Sequence, residues 1–351
     1  MNLMQHIVAA VLAMAAAAAS AASAATPAPT AAVKSAHVTI KDWEVACDNT
    51  RACEAVGFQS EEGGSAPVSL WLGRSAGPQG TVTAKLSAFN FDESPVGPLT
   101  LQVGRLTLAG LKSEAALTPA QVAQLLPALL DADAAKVSDG KNKWQLSLAG
   151  VKAALLKMDD LQGRVDTVTA LVKRGAKPAS DVLPPVKAPV LQRLPSPPML
   201  KQPEALLAKI VKTLKDGGCD EPQPAPNADS YSQSEINPLS SSQVLLLIEC
   251  GRGAYQSSFT VWIANDKPPY AAKPAQLMDA GGMPVEYLLN AGFDKGELGS
   301  FAKGRGIADC NRQQSWVWTA AGFKLSGASS GGLCRGYPGG YMLSDYSAEV
   351  R

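Results

Sequence analysis

The sequence predicts a β-rich α+β protein of two antiparallel β-sandwich or barrel-like domains, each with one or two short helices. Three observations carry that reading. Short apolar runs alternate with polar residues at a period of two, the pattern of half-buried strands. Turn-forming Gly, Asn, Asp and Ser residues separate the runs at close intervals. Between Lys177 and Pro203 stand eight prolines, which resist helix and sheet ladder alike and divide the chain.

Taken in order, residues 1–25 read as a signal peptide. Ile7 to Ala19 is apolar, and Ala22-Ser23-Ala24 has the small-x-small pattern of a cleavage site, although no Lys or Arg precedes the run. Residues 26–37 read as a flexible N-terminus. The first domain spans 38–177. It opens on Trp43-Glu44-Val45-Ala46-Cys47, a turn at Asp48-Asn49-Thr50, and a return strand from Cys53, a hairpin that a disulfide can close. Val68-Leu70-Leu72, Val82 to Ala88 and Leu99-Leu101-Val103 alternate as strands, and the change of phase at Gly104 predicts a bulge. Thr118-Pro119-Ala120-Gln121 is a capping box ahead of a helix, with Pro127 inside it. Trp144-Leu146-Leu148 resumes a strand. Val151, Ala154, Leu155 and Met158 form a second helical stripe stopped at Gly163, and Thr167 to Val172 reads as a closing strand.

Residues 178–203 read as an extended, unpaired proline-rich linker. The second domain, 204–351, opens with a helix striped by Leu206, Leu207, Ile210, Val211 and Leu214. Asp220 to Leu239 reads as a loop. Val244 to Ile248 is apolar on both faces, as in a central strand, and Phe259-Val261-Ile263, Val285-Tyr287-Leu289, Trp316-Val317-Trp318 and Phe323-Lys324-Leu325 are further strands.

Lys+Arg 32 against Asp+Glu 31 leaves a net charge of +1, which makes no electrostatic case for nucleic acid or an anionic membrane. No stretch after the signal is long and apolar enough to span a membrane. Six cysteines in an exported chain predict three disulfides. Of the possible pairings, Cys47–Cys53, Cys219–Cys250 and Cys310–Cys334 keep each bridge local to one domain.

Catalytic equipment is sparse. The histidines are His6, inside the signal, and His37, so a His-dependent triad or His-rich zinc site has one candidate at most. Gly327-Ala328-Ser329-Ser330-Gly331 fits G-x-S-x-G on paper, but it reads as a loop between two strands rather than a strand-to-helix elbow. Ser138-Asp139-Gly140-Lys141 matches S-x-x-K in a polar loop. Asp159-Asp160 near Arg164 reads as a helix-surface ion pair, since adjacent helical residues diverge by about 100°. No phosphate loop, metal set or cofactor motif is present. Arg252, Tyr255, Trp316, Trp318, Arg335 and Tyr337 are the candidate binding residues, an arginine and aromatic group near two disulfides. Trp316 and Trp318 also share one strand face, the pattern of a core.

Several of these stretches resemble the domain-of-unknown-function family eleven-seventy-six of exported bacterial proteins. They are Asp42 to Arg51, Ser147 to Gly150 with Met158-Asp159-Asp160 and Gln162-Gly163-Arg164, Gly251 to Tyr255, Gly304 to Ile307, and Asp309-Cys310 with Trp316-Val317-Trp318, Phe323 and Cys334-Arg335-Gly336. The first half is also similar to the invasion-associated locus B family. After Cys334 the chain departs from the pattern, with Tyr337, Tyr341 and Tyr346 where a tryptophan-bearing tail is expected. The resemblance implies export, this fold and disulfides, and it implies no activity. The expectation is a non-catalytic, periplasmic or secreted protein that binds a protein or glycan of the cell envelope. The alternatives are a carboxylate-dependent hydrolase of envelope glycan and an inhibitor of a cell-wall lytic enzyme.

Overall fold

Cys47 and Cys53 stand directly opposite each other in the first hairpin and are bonded. The structure is a computed structural model that describes residues 35–219 and 233–351. The expected signal segment, most of the flexible N-terminus and most of the loop from Asp220 lie outside the described residues. Strands β1 (Ala36–Ile40), β2 (Trp43–Cys47), β3 (Cys53–Phe58), β4 (Val68–Arg74) and β5 (Val82–Ala88) form an antiparallel meander in that order. β6 (Leu99–Val103), β7 (Leu106–Leu111), helix α1 (Pro119–Asp131), β8 (Ala134–Ser138), β9 (Lys143–Ser147) and helix α2 (Val151–Leu161) follow. The four strands make a second sheet in the order β7-β6-β8-β9.

One core joins these parts. Leu70 and Leu86 of the first sheet meet Leu101 and Leu146 of the second, Leu125 of α1 and Leu155 of α2, all without solvent exposure. α1 starts at the capping box: Thr118 Oγ1 accepts from the Gln121 amide at 3.3 Å, and Gln121 Oε1 accepts from the Thr118 amide at 2.8 Å. Gly104, with φ +56°, makes the tight turn between β6 and β7 rather than a bulge. A two-residue turn reverses the chain and restarts the alternation, which in sequence looks like a phase slip. The irregularity in that pair lies between Leu99 and Leu101.

After the proline-rich stretch, which holds β10 (Val190–Leu191), come α3 (Pro203–Val211), β11 (Glu235–Pro238), β12 (Gln243–Arg252), β13 (Ser257–Asn265), β14 (Lys273–Pro274) and β15 (Leu288–Leu289). The sheet order is β11-β12-β13-β14, with β15 also on β13. β16 (Gly292–Asp294), β17 (Glu297–Lys303), β18 (Asn311–Thr319), β19 (Gly322–Gly331) and β20 (Leu343–Ser347) form another antiparallel meander, and β21 (Glu349–Val350) ends the chain. Leu245, Leu247, Phe259 and Val261 pack against Leu298, Trp316, Trp318 and Phe323 between the two sheets. The other face of β12, Val244, Leu246 and Ile248, packs with Ile210 of α3, so β12 is buried on both faces. Cys219–Cys250 and Cys310–Cys334 are both bonded. The architecture is β-rich α+β, and among the described residues no sheet closes into a barrel.

Further local expectations are corrected. Gly327 to Gly331 is not a loop but the end of β19, paired with β18 and β20. In the stretch Val285 to Leu289 only Leu288–Leu289 is a strand. Thr167 to Val172 forms turns, because the amides of Leu171 and Val172 are taken by the Asp159 carboxylate at 2.6 and 3.1 Å. The proline-rich stretch is extended but not unpaired. Val186 donates to Thr50 O at 3.2 Å, β10 runs parallel to β21, and Leu194 donates to Trp318 O at 3.0 Å. Proline removes a donor only at its own position, and the residues between keep theirs.

Asp159 and Asp160 belong to different environments, as their divergence on α2 requires. Asp160 pairs with Lys157 in solvent at 3.0 Å. Asp159 is fully buried and pairs with Arg74 of β4 at 2.9 Å, while Arg164, also fully buried, donates to Gln162 Oε1 at 2.7 Å and Gly77 O at 2.6 Å. This network lashes the turns after α2 to the first sheet. Asp159→Ala strands a buried guanidinium and should cost roughly 3–5 kcal/mol. Asp160→Ala should cost no more than about 0.5 kcal/mol. Urea melts of the two variants check this, and equal losses would refute it.

Candidate functional site

Alternation along β2 sends Trp43, Val45 and Cys47 into the core and Glu44, Ala46 and Asp48 to the opposite face, where β3 adds Glu54, Val56 and Phe58. That outer face is buried too, under the segment from Leu333 to Ser347. Leu343 packs fully buried with Ala46, Val56 and Phe58, and the Tyr341 ring meets Phe58 edge-on at 6.0 Å. Several polar groups of the face are matched across the contact. Ser344 N–H donates to Glu54 at 2.6 Å, the hydroxyls of Ser344 and Ser347 donate to Asp48 at 3.2 and 3.3 Å, and Arg335 donates to Asp42 at 2.9 Å.

At one end of this contact sits a His-Asp-Ser-Glu cluster. His37 Nδ1 lies 2.7 Å from Asp345 Oδ1 and 3.2 Å from Ser330 Oγ, and Ser330 donates to Asp345 Oδ2 at 2.6 Å. His37 Nε2 faces Glu44 Oε2 at 3.9 Å. Glu44 is fully buried, and its oxygens accept no hydrogen bond among the described residues. A Ser-His-Asp relay needs the serine and the carboxylate on opposite ring nitrogens. Here both approach Nδ1, and Nε2 is turned to a second carboxylate. The cluster works as an ion link between β1, β2 and β20. Ser329, the serine that fits the G-x-S-x-G pattern, precedes Ser330 in β19 and so projects from the other face.

Beside the cluster opens a cleft of about 420 Å³. Its floor is the β18–β19 pair, where Arg312 opposes Ser330 and Gln314 opposes Ala328. Ser35, His37 and Thr39 make one wall, and Asp279 to Gly281 the other. Asp279 Oδ1 accepts from the amides of Gly281 and Met283 at 2.8 and 2.9 Å, which fixes that turn. The chain at Gly332 passes so close to Glu44 that an added Cβ would stand 2.9 Å from Oε1. Asn311 lines the cleft nearly buried, its Nδ2 donating to Ala308 O and Gly339 O at 2.9 and 3.0 Å. Asn311 Oδ1 has no partner among the described residues, and Arg312 has neither ion pair nor side-chain hydrogen bond there.

The six residues singled out from sequence do not form one face. Trp316 is fully buried, its Nε1 donating to Met278 O at 2.8 Å, and Trp318 is 8% exposed. Both are core of the second half. Arg335 is buried as the clasp on Asp42, and Tyr337 donates to Glu114, with burial holding its phenol above the ordinary range. Arg252 and Tyr255 lie at the surface, Arg252 on Glu249 at 2.7 Å and Tyr255 against the Gly304–Gly306 turn. Arg305 is held by both oxygens of Asp309, which also accepts from Gly336 N–H. Asp309, Cys310 and Cys334 cluster closely enough to suggest a metal centre, but the two sulfurs are bonded to each other and offer no thiolate. Sequence reasoning missed Ser330, Asp345, Asn311 and Arg312. One signal was available: Val56, Phe58 and Trp71 fall on the strand face opposite the core, so that face needed a cover.

The family described as "Protein of unknown function (DUF1176)" matches residues 37–348. "Uncharacterized protein YpfG" of Escherichia coli (strain K12) is 29% identical over 326 residues, covering 85% of this chain and 89% of that protein. A crystal structure of invasion associated protein B from Bartonella henselae aligns with 36% of this chain and 99% of that one, at 17% identity and a TM-score of 0.27. Three disulfides are what an oxidising, non-cytoplasmic compartment sustains. No helix among the described residues is long and apolar enough to cross a membrane.

The ion link makes stability depend on pH. Burial works against the His37 cation, but the hydrogen bond to Asp345 and the charges of Asp345 and Glu44 outweigh it and raise the imidazole from 6.5 to about 9. A raised folded-state value stabilises fully below the unfolded value and loses that stabilisation as pH rises through the folded one. The stability of the native protein should therefore fall between pH 6.5 and about 9, by an amount on the order of 2–3 kcal/mol. No thiol titrates in that window, because no cysteine is free. Urea melts across the range should show the fall in the native protein and its loss in His37→Gln; a level native profile would mean the link contributes nothing.

Proposed function

The chain belongs to the DUF1176 family of proteins of unknown function, and from that premise we propose an exported, non-catalytic envelope protein, periplasmic or secreted, that binds a macromolecular partner in the cleft beside His37. We take the chain as two β-rich domains, 38–177 and 204–351, meeting at this cleft. The observation that carries the reading is a contrast within one site. His37, Asp345, Ser330 and Glu44 are spent on one another, with both serine and aspartate at Nδ1. Arg312, exposed and opposite Ser330 on the paired strand, is unengaged among the described residues. Groups satisfied internally hold the walls in place, and groups left over are free to meet a partner. A rigid strand-pair floor keeps the ordering cost of association low. Disulfides and the signal-like residues 1–25 support export.

A second reading, a carboxylate-dependent glycan hydrolase, has one observation in its favour: Asp279 and Asp345 line the same cleft. Arg252 and Tyr255 remain as a separate surface candidate.

Filling the cleft with Gln314→Trp should abolish capture of the partner from envelope extract while the thermal midpoint stays within a few degrees. Arg252→Ala and Tyr255→Ala should capture normally. The opposite pattern moves the binding surface to Arg252 and Tyr255 and removes the cleft from the proposal. Turnover of envelope glycan that disappears in Asp279→Asn or Asp345→Asn would replace binding by hydrolysis.

A further inference from the structure

We infer that the cleft is built for a short, uncharged, hydroxyl-rich ligand, a neutral oligosaccharide segment; this rests on the cleft-binding reading above. The first argument is charge. The lining carries two cations, His37 and Arg312, and two anions, Asp279 and Asp345, so it presents no net charge to a ligand. Glu44 lies behind His37, buried and outside the lining. A phosphate or polyanion would meet two carboxylates at close range, and a polyamine would meet a guanidinium and an imidazolium. Like-charge approach of that kind is how a site rejects a ligand.

The second argument is the mixture of free donors and acceptors. Arg312 offers five N–H donors in a planar fork with no competing acceptor among the described residues. The Gln314 amide offers both roles, and the hydroxyls of Ser35 and Thr39 likewise. The second oxygen of Asp279 is open, since both bonds to that turn end on Oδ1, and Asn311 Oδ1 is an acceptor without a donor buried beneath the lining. A sugar hydroxyl donates and accepts at once, so a chain of hydroxyls can satisfy such a lining where an aliphatic or purely anionic molecule leaves half of it unpaired. Leaving a site's polar groups unpaired is the costlier error.

The third argument is shape. Arg312, Gln314, Ala328 and Ser330 are two facing pairs on adjacent strands, so their side chains rise from one face. Small residues, Ala280, Gly281, Ala328, Gly331 and Gly332, leave the space between the polar groups open. At about 420 Å³ the cleft is in the size range of small-ligand sites. No aromatic platform lines it, so hydrogen bonds carry the recognition and the affinity for a single short segment is low.

The test is a titration of the full mature protein, disulfides intact, followed by amide chemical shifts. The probes are maltotriose and tri-N-acetylchitotriose as neutral oligosaccharides, trigalacturonate as an anionic one and deacetylated chitotriose as a cationic one. The neutral trisaccharides should shift the amides of Thr39, Gln314 and Ser330 and bind at least about tenfold more tightly than either charged probe. Arg312→Ala should weaken them about tenfold, the loss of one hydrogen bond to a charged group, and Arg252→Ala should not. Preferential binding of a charged probe overturns the neutral-sugar inference and leaves the cleft-binding reading in place. Shifts confined to residues outside the cleft overturn the inference as well. If no sugar binds but Gln314→Trp still abolishes envelope capture, the ligand class is wrong and the site is right. If neither effect is seen, both fall together.

Discussion

Three carboxylates on the outer face of the first sheet, Glu44, Asp48 and Glu54, impose the constraint that the rest of the structure answers. Removing a carboxylate from water costs several kcal/mol unless hydrogen bonds or a counter-charge replace its hydration. Asp48 and Glu54 are met by Ser344 and Ser347, and Glu44 by the His37 cation alone. The cover on this face therefore cannot be any apolar segment of suitable length. It must bring hydroxyls and amides to set positions, and the last strands of the chain do so. The raised imidazole of His37 follows from the same placement: against the cost of burial, Asp345 raises it most and Glu44 adds to it.

The cleft inherits its rigidity from that contact and from one disulfide. Cys310 immediately precedes β18 and Cys334 closely follows β19, so their bond closes the open end of the hairpin that forms the floor. Asn311 and Gly331 are the first paired residues inside it. On the opposite side, His37 ties the β1 wall to β20. Floor and wall are thus fixed by a disulfide and by the His37–Asp345 pair, and the unengaged Arg312 and Gln314 stand on a frame that needs little reorganisation to bind.

Much of the fold could be read from local pattern, and the site could not. The Cys47–Cys53 bridge, the capping box at Thr118, the doubly buried β12 and most of the strands depend on residues within a dozen positions of one another or on periodicity, and the other two bridges, with separations of 31 and 24, follow from keeping each pairing local. What escaped depended on long-range pairing. Asp159 looked like a surface acid because its partner, Arg74, lies in another strand and the amides it binds come from a stretch whose own pattern mimicked a strand. Trp316 and Trp318 shared a face, which was informative, but only the packed sheets show that face to be core. His37 was noticed for its rarity, and nothing near it in sequence named Asp345 or Ser330. Arg335 drew attention as an aromatic-flanked arginine beside a disulfide. Its partners, Asp42 and Glu61, lie almost the whole chain away and use it to clasp the two halves.

The hydrogen bond from His37 to Asp345 joins residues 308 positions apart, and this has a consequence for how the chain is made. The N-terminal strands reach the folding compartment first, so β1 to β5 can begin to pair before β20 arrives. Throughout that interval Val56, Phe58 and Trp71 stand uncovered next to Glu44 and Glu54 on a sheet already able to form. Until β20 docks, the first sheet has an apolar, sticky side exposed, and a chain that lacks β20 keeps that side for good. Such a product would be recognised by holdase chaperones or lost to aggregation rather than persist as a shortened working protein. β20, which brings Leu343, Ser344 and Ser347 to that face, is the strand that ends this vulnerable period.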